Sequence, residues 1–274
     1  MDDISHQGWG CLFEWGIFAK QYVENLNVDF LAAREIEMLK NLRWSSKRLN
    51  EWILGSWVAK KAAAGLLERV HRVRHDATLL SSLVIKDDLS LCEIDCSSAE
   101  EISAPPIHLA VGQSGDYLVA LAWFAAELRC GVDVRSRQLT IALDSRFVFT
   151  SRELSQVRAL MCGQSERRIE TALADWAVIG WSLKYAASQA TQSGSDFNPQ
   201  NFHIRFNGGE KPGSGEVHIY PLEARWSGIP LRCTWVESRG HIFAFAYNDI
   251  SATAERSPMI NWTSQPRYIS AQQP

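Results

Sequence analysis

Two short segments carry residues that could do chemistry. The first is Cys130-Gly131-Val132-Asp133-Val134-Arg135, which puts a carboxylate at the end of an apolar, strand-like run. An unpartnered carboxylate there carries a heavy desolvation penalty, so Asp133 requires a ligand, a cation or an arginine beside it, and Arg135 and Arg137 are the nearest candidates for a salt bridge. The second is Trp181-Ser182-Leu183-Lys184-Tyr185, a polar cluster inside an otherwise apolar helical run. A lysine in that setting usually carries its amine to the surface on its own stem. Gly112-Gln113-Ser114-Gly115 has part of a nucleophile elbow, but G-x-S-x-G needs glycine where Asp116 stands, and a turn between strands is the better reading. His71 and His75, four residues apart, could share a cation on one helix face. Arg69, Arg72 and Arg74 surround them and favour a solvated basic face, or a phosphate or acidic-partner contact, over a metal.

The elements that must position these residues are legible in outline. Helical periodicity runs from Trp44 to Val70, where Leu49, Trp52, Ile53, Trp57, Val58, Ala62, Leu66 and Leu67 share one face, and a shorter helix is expected over Phe30 to Leu42. Ser81 to Ala104 is mixed and polar and ends at Pro105-Pro106, which cannot lie inside a helix. Strands are expected at Ile107 to Val111, Asp116 to Ala125 and Leu128 to Val134, with a turn at Gly112 to Gly115. The second half repeats helices before strands. Thr150 to Met161 and Glu166 to Thr191 read as helices, Phe202 to Phe206 and Val217 to Tyr220 as strands, and Leu231 to Val236 and His241 to Tyr247 as a hairpin turning at Ser238-Arg239-Gly240. The expected organisation is α+β, a pseudo-twofold duplication with halves at 1–125 and 126–250 and a polar extension over 251–274.

Composition narrows the function classes. The 274 residues carry 28 Lys plus Arg against 31 Asp plus Glu, a balance that argues against a strongly basic nucleic-acid binder. No stretch approaches the roughly 18–20 apolar residues of a membrane span, and the acidic start, Asp2-Asp3, is unlike a secretory signal, so a cytoplasmic protein is expected. The six cysteines are scattered and read as reduced packing residues. Eleven tryptophans are the one unusual feature, and Trp123, Trp176 and Trp181 near the motifs would suit a cleft for an apolar chain.

Taken in order and spacing, these segments resemble the Sfp-type 4′-phosphopantetheinyl transferases. Gly131-Val132-Asp133-Val134-Arg135 is similar to that family's G-[VI]-D-[VI]-E strand, and Trp181 to Gln189 to its W-[ST]-x-K-E-[AS]-x-x-K helix. Ile107 to Gly115 resembles the strand ending in S-H-S-G, Arg146 to Thr150 with Glu153 the R-F-F-[ST] stretch and its following Glu, and Trp52 to Ala63 the long helix with an A-K-x-A core. The resemblance implies two α+β halves, with coenzyme A and a carrier protein bound along the seam between them. It also implies a magnesium ion on three carboxylates, of which only Asp133 survives here, because the strand Glu is Arg135 and the helix Glu is Tyr185. A fixed cation opposes a magnesium site, and a phenol of ordinary pKa about 10 is a poor general base. Gln113 replaces the family's His and Gln189 its final Lys, each a lost phosphate contact.

The expected function is therefore a repurposed transferase-like enzyme needing no metal. Asp133, Tyr185, Lys184 and Arg135 would do acid/base work, and Gln113, Ser114, Trp181, Gln189 and Glu153 would hold an acyl substrate tethered to an acyl or peptidyl carrier protein or presented as a thioester. Arg69, Arg72 and Arg74 would meet the carrier or a phosphate. The alternatives are an active divergent transferase using coenzyme A and magnesium, with Glu127, Asp144 or Glu153 recruited as ligands, and a carrier-binding protein without catalysis. Nucleic acid and membrane are not expected partners.

Overall fold

A computed structural model describes residues 14–19, 28–72, 77–86, 88–94, 105–115, 117–124, 128–138, 144–161, 163–191, 197–206, 214–222 and 230–248. The expected extension over 251–274 lies outside them. The architecture is mixed α+β with two antiparallel sheets. Contacts group the described residues into two compact units: one holds those up to Leu109 together with Ala120–Leu128, the other Ala110–Val119 and those from Arg129 onward.

The first unit opens with β1 (Glu14–Ala19) and a 3-10 turn (Val28–Phe30), followed by α1 (Ala33–Asn41), α2 (Ser46–His71) and α3 (Ala77–Ser82). The hydroxyl of Ser45 accepts from the Arg48 backbone N–H at 3.3 Å and starts α2, which ends where Arg72 turns left-handed at φ 56. Strands β2 (Leu83–Ile85) and β3 (Leu91–Ile94) fall in the segment that reads as mixed and polar, and each is too short to show alternation. β4 (Ile107–Ser114) and β5 (Tyr117–Trp123) complete a sheet ordered β1-β5-β4-β3-β2. The expected turn at Gly112 to Gly115 begins later, at Gly115 with φ 53. Gly112 lies within the strand, and a Cβ there would stand 3.1 Å from Val119 Cγ1 and 3.2 Å from both the Val132 carbonyl and the Asp133 Cα, which is the space that favours glycine.

The second unit runs β6 (Cys130–Ser136), α4 (Ser145–Val148), α5 (Ser151–Leu160), α6 (Glu166–Ala190), β7 (Phe202–Arg205), β8 (Ser214–Pro221), β9 (Leu231–Ser238) and β10 (His241–Asn248), in a sheet ordered β6-β10-β9-β8-β7. The closing hairpin turns on Arg239 and Gly240, both with positive φ, the conformation of a two-residue primed turn. α6 lies across β6, β10 and β9. Its buried face, with Leu173, Trp176, Ile179, Leu183 and Ala187, forms one core with Ile242, Ala244 and Ala246 of β10.

In both sheets the strand that comes first in the chain pairs with the one that comes last, and the rest follow in reverse chain order. Most of the described tryptophans serve as core rather than cleft. Trp52, Trp123, Trp176 and Trp235 are buried, and Trp176 meets Trp235 and Phe206 edge to face. Cys92, Cys130 and Cys233 are buried and form no disulfide. No helix among the described residues is long and apolar enough to cross a membrane.

Candidate functional site

Register decides which way the β6 side chains point. Gly131, Asp133 and Arg135 lie opposite Ala246, Ala244 and Ile242 of β10, which belong to the α6-covered core, so all three face α6, while Val132 and Val134 face away. Helix and strand can meet this closely only because residue 131 is glycine, since a Cβ there would stand 2.0 Å from the Ala186 carbonyl oxygen.

Asp133 is 1% exposed. Arg135 Nε donates to its Oδ2 at 2.9 Å, fulfilling the expected salt bridge through the residue two positions along the same strand face. Burial pushes the Asp133 carboxyl up to about 7, against the Arg135 charge and hydrogen bond. The Ser182 hydroxyl also favours the anion, although it is buried and makes no hydrogen bond of good geometry. The Arg135 guanidinium lies over the Tyr185 ring at 5.1 Å, so Asp133, Arg135, Tyr185 and Ser182 form one constellation.

Other expected site residues have different settings. Lys184 does not reach the surface: it and Glu153 are both fully buried and 2.9 Å apart. Lys184 Nζ donates to Glu153 and to the Val148 carbonyl, while Glu153 accepts from the backbone N–H groups of Thr150 and Ile204. The pair ties α4, α5, α6 and β7 together, and with these partners its polar atoms face the interior rather than a substrate. Gln189 is likewise committed to the backbone: its oxygen accepts from the Val132 N–H at 3.0 Å and its amide donates to the Val111 carbonyl at 3.3 Å. Gln113 and Ser114 are half-buried at the end of β4. Trp181 is half-buried between Phe147, stacked at 5.6 Å, and Phe197, edge-on at 5.1 Å. Arg69 and Arg72 are exposed at the end of α2, and Arg74, His75 and Glu127 lie outside the described residues.

The first unit contains a matching brace that the motif reading missed. Lys60 Nζ donates to Glu35 at 2.5 Å and to the carbonyls of Phe30 and Leu80, and Glu35 accepts from the N–H groups of Ala32 and Ile85. A signal was present in the sequence. Arg34-Glu35-Ile36 parallels Arg152-Glu153-Leu154, and Trp57, Lys60, Ala62 and Ala63 repeat the spacing of Trp181, Lys184, Ala186 and Ala187.

The set around Asp133 does not fit magnesium. That ion takes carboxylate and water oxygens, whereas here one carboxylate is met at 2.9 Å by a guanidinium, with a phenol beyond it. Among the described residues no three His, Cys, Asp or Glu side chains are grouped to hold a metal. Asp144 and Glu153, considered as substitute ligands, are respectively exposed in a pair with Arg146 and buried against Lys184. Compared with protein-family models and with curated proteins, the chain matches none.

Proposed function

We propose that this is a cytoplasmic 4′-phosphopantetheinyl transferase-like protein built from two copies of one α+β unit, and that its second unit acts on an acyl thioester, free or tethered to a carrier protein, by proton transfer at Asp133. The observation carrying the proposal is a single buried carboxyl, raised to about 7, held by Arg135 beside the Tyr185 phenol. Near neutral pH such a group is split between its two forms and can both take and return a proton. Duplication is supported by the common strand order of the sheets and by the paired braces Lys60–Glu35 and Lys184–Glu153.

The step that suits this set is proton abstraction next to the thioester carbonyl. The C–H bond breaks, an O–H bond forms on Asp133, and the electron pair moves to the thioester oxygen, towards which the Tyr185 hydroxyl would donate. Returning the proton to another carbon gives an isomerisation, and delivering it to a departing hydroxyl gives a dehydration with loss of water.

Asp133→Asn should abolish conversion of a pantetheine thioester, followed by mass spectrometry, and Tyr185→Phe should slow it by roughly 10²-fold. Unchanged conversion by Asp133→Asn would sink the assignment. The divergent-transferase alternative is tested on an apo carrier protein with coenzyme A and magnesium, where a gain of the arm's mass on the carrier would replace the present reading. Carrier binding without change to either partner would favour the non-catalytic alternative.

A further inference from the structure

Arg135 and Arg137 leave the same strand end with different fates. Arg137 spends its two Nη groups on Asp175 and Glu237, each at 2.6 Å. Arg135 uses only Nε, on Asp133, and one face, on Tyr185. Among the described residues no acceptor meets its Nη groups, and the side chain is 26% exposed. A guanidinium fixed along one edge and one face loses little freedom when its outer edge takes two oxygens of a carboxylate or phosphate.

An aromatic band begins at the Tyr185 ring that Arg135 covers. Tyr185 meets Phe197 at 5.1 Å, Phe197 meets Trp181 at 5.1 Å, and Trp181 stacks on Phe147, which is 54% exposed. Apolar rings left half-open in a row mark a surface suited to an apolar ligand. We infer that this band binds an elongated apolar chain ending in a carboxylate or phosphate, with the anion on the outer edge of Arg135 and the chain over Tyr185, Trp181 and Phe147. The site is that of the proposed function, but the inference goes beyond that reading: it concerns a free anionic chain and stands on the geometry of Arg135 and the aromatic band.

Isothermal titration of the full chain with decanoate, decyl phosphate and decanol, below their aggregation limits, tests this. At least one anionic probe should bind roughly tenfold or more tightly than decanol, and the tighter of the two assigns the headgroup. Arg135→Gln should bring both anions to the decanol level while leaving decanol unchanged, and Phe147→Ala should weaken all three by a similar factor. Should Arg135→Gln unfold, the double variant Asp133→Asn/Arg135→Gln, which leaves no buried charge unpaired, replaces it. Equal affinity for decanol and both anions, or anion binding indifferent to the loss of Arg135, would overturn the inference. Arg135-dependent binding without thioester conversion would retire the proton-transfer reading alone, and conversion without such binding would retire this one alone.

Discussion

The two units hold their helices to their sheets with the same device and differ in what surrounds it. In each, a lysine from the long helix meets a glutamate from the third position of the shorter helix before it, and that glutamate also accepts from the first strand after the long helix. Lys60 has a third acceptor, the Leu80 carbonyl on α3, whereas among the described residues the second unit has a 3-10 turn (Pro199–Asn201) between its long helix and next strand. One residue beyond the lysine the units part: α2 has Lys61, over the Trp57 ring at 5.7 Å, whereas α6 has Tyr185 beneath Arg135. The two braces are built alike, and the Asp133–Arg135–Tyr185 set lies in the second unit.

The largest expected effects come from breaking the braces. Lys184→Ala and Lys60→Ala each leave a carboxylate buried without its cation, and each should cost about 3–5 kcal/mol in urea unfolding followed by circular dichroism. Lys60→Ala should be the more damaging because it also strips the Leu80 carbonyl. If Lys184→Ala proved nearly neutral, the two braces would not be equivalent and the parallel between the units would fail.

Asp133 gives the next largest effect, with an unusual sign. Its folded pKa, about 7, lies above the ordinary carboxyl value, so the proton it retains stabilises the fold fully below about pH 4, and that stability is lost as pH rises to about 7. Asp133→Asn resembles the protonated form. The variant should therefore match the parent at pH 4 and exceed it by up to about 4 kcal/mol at pH 8, less what Arg135 loses with its partner. Thermal melts across that range provide the measurement, and a gap that closes with rising pH would contradict the burial of Asp133.

Much of this was legible in the sequence where the signal is local. The long helices announced themselves by periodicity and the last hairpin by Arg239-Gly240, while the need of Asp133 for a partner was legible from its apolar strand, with Arg135 and Arg137 both open as that partner. Burial of Lys184 was not legible, because its partner lies 31 residues away and nothing near it distinguishes a braced lysine from a surface one. Phe197, which closes the aromatic band, lies on no periodic element and had no local signal. β1, β2 and β3 were missed because Glu14–Ala19 stands apart from other recognisable elements, and three- or four-residue strands show no alternation.

A smaller contrast separates the glycines of the two long helices. A Cβ on Gly180 would meet the buried Phe149 ring at 2.4 Å, whereas one on Gly55 would meet a terminal methyl of Leu89 at 2.6 Å. An alanine gains about 1 kcal/mol of helix propensity at either site. Leu89 can rotate away and the Phe149 ring cannot, so Gly55→Ala should be near neutral and Gly180→Ala should cost about 1–2 kcal/mol net, read from urea midpoints. Equal effects would mean that α6 is packed no more tightly than α2 at this level.

The smallest contrast lies where the two short helices begin. Thr150 caps α5 through its hydroxyl, which accepts from the Glu153 N–H at 3.3 Å, while Glu153 reaches back to the Thr150 N–H at 2.7 Å. α1 keeps only the second half of that exchange: Glu35 accepts from the Ala32 N–H at 2.8 Å, and Ala32 has no side-chain oxygen to return the bond. Removing the hydroxyl in Thr150→Ala should cost about 0.5–1 kcal/mol, at the lower end because the bond is long. Installing one in Ala32→Ser should yield less than the same amount, since Ala32 is 1% exposed and the added oxygen must fit without displacing its neighbours. Melting-temperature shifts of opposite sign would sharpen the parallel between the units, because they would show that α1 has the same geometry as α5 and lacks only the atom. A destabilised Ala32→Ser together with a neutral Thr150→Ala would mean that the glutamates alone fix both helix starts.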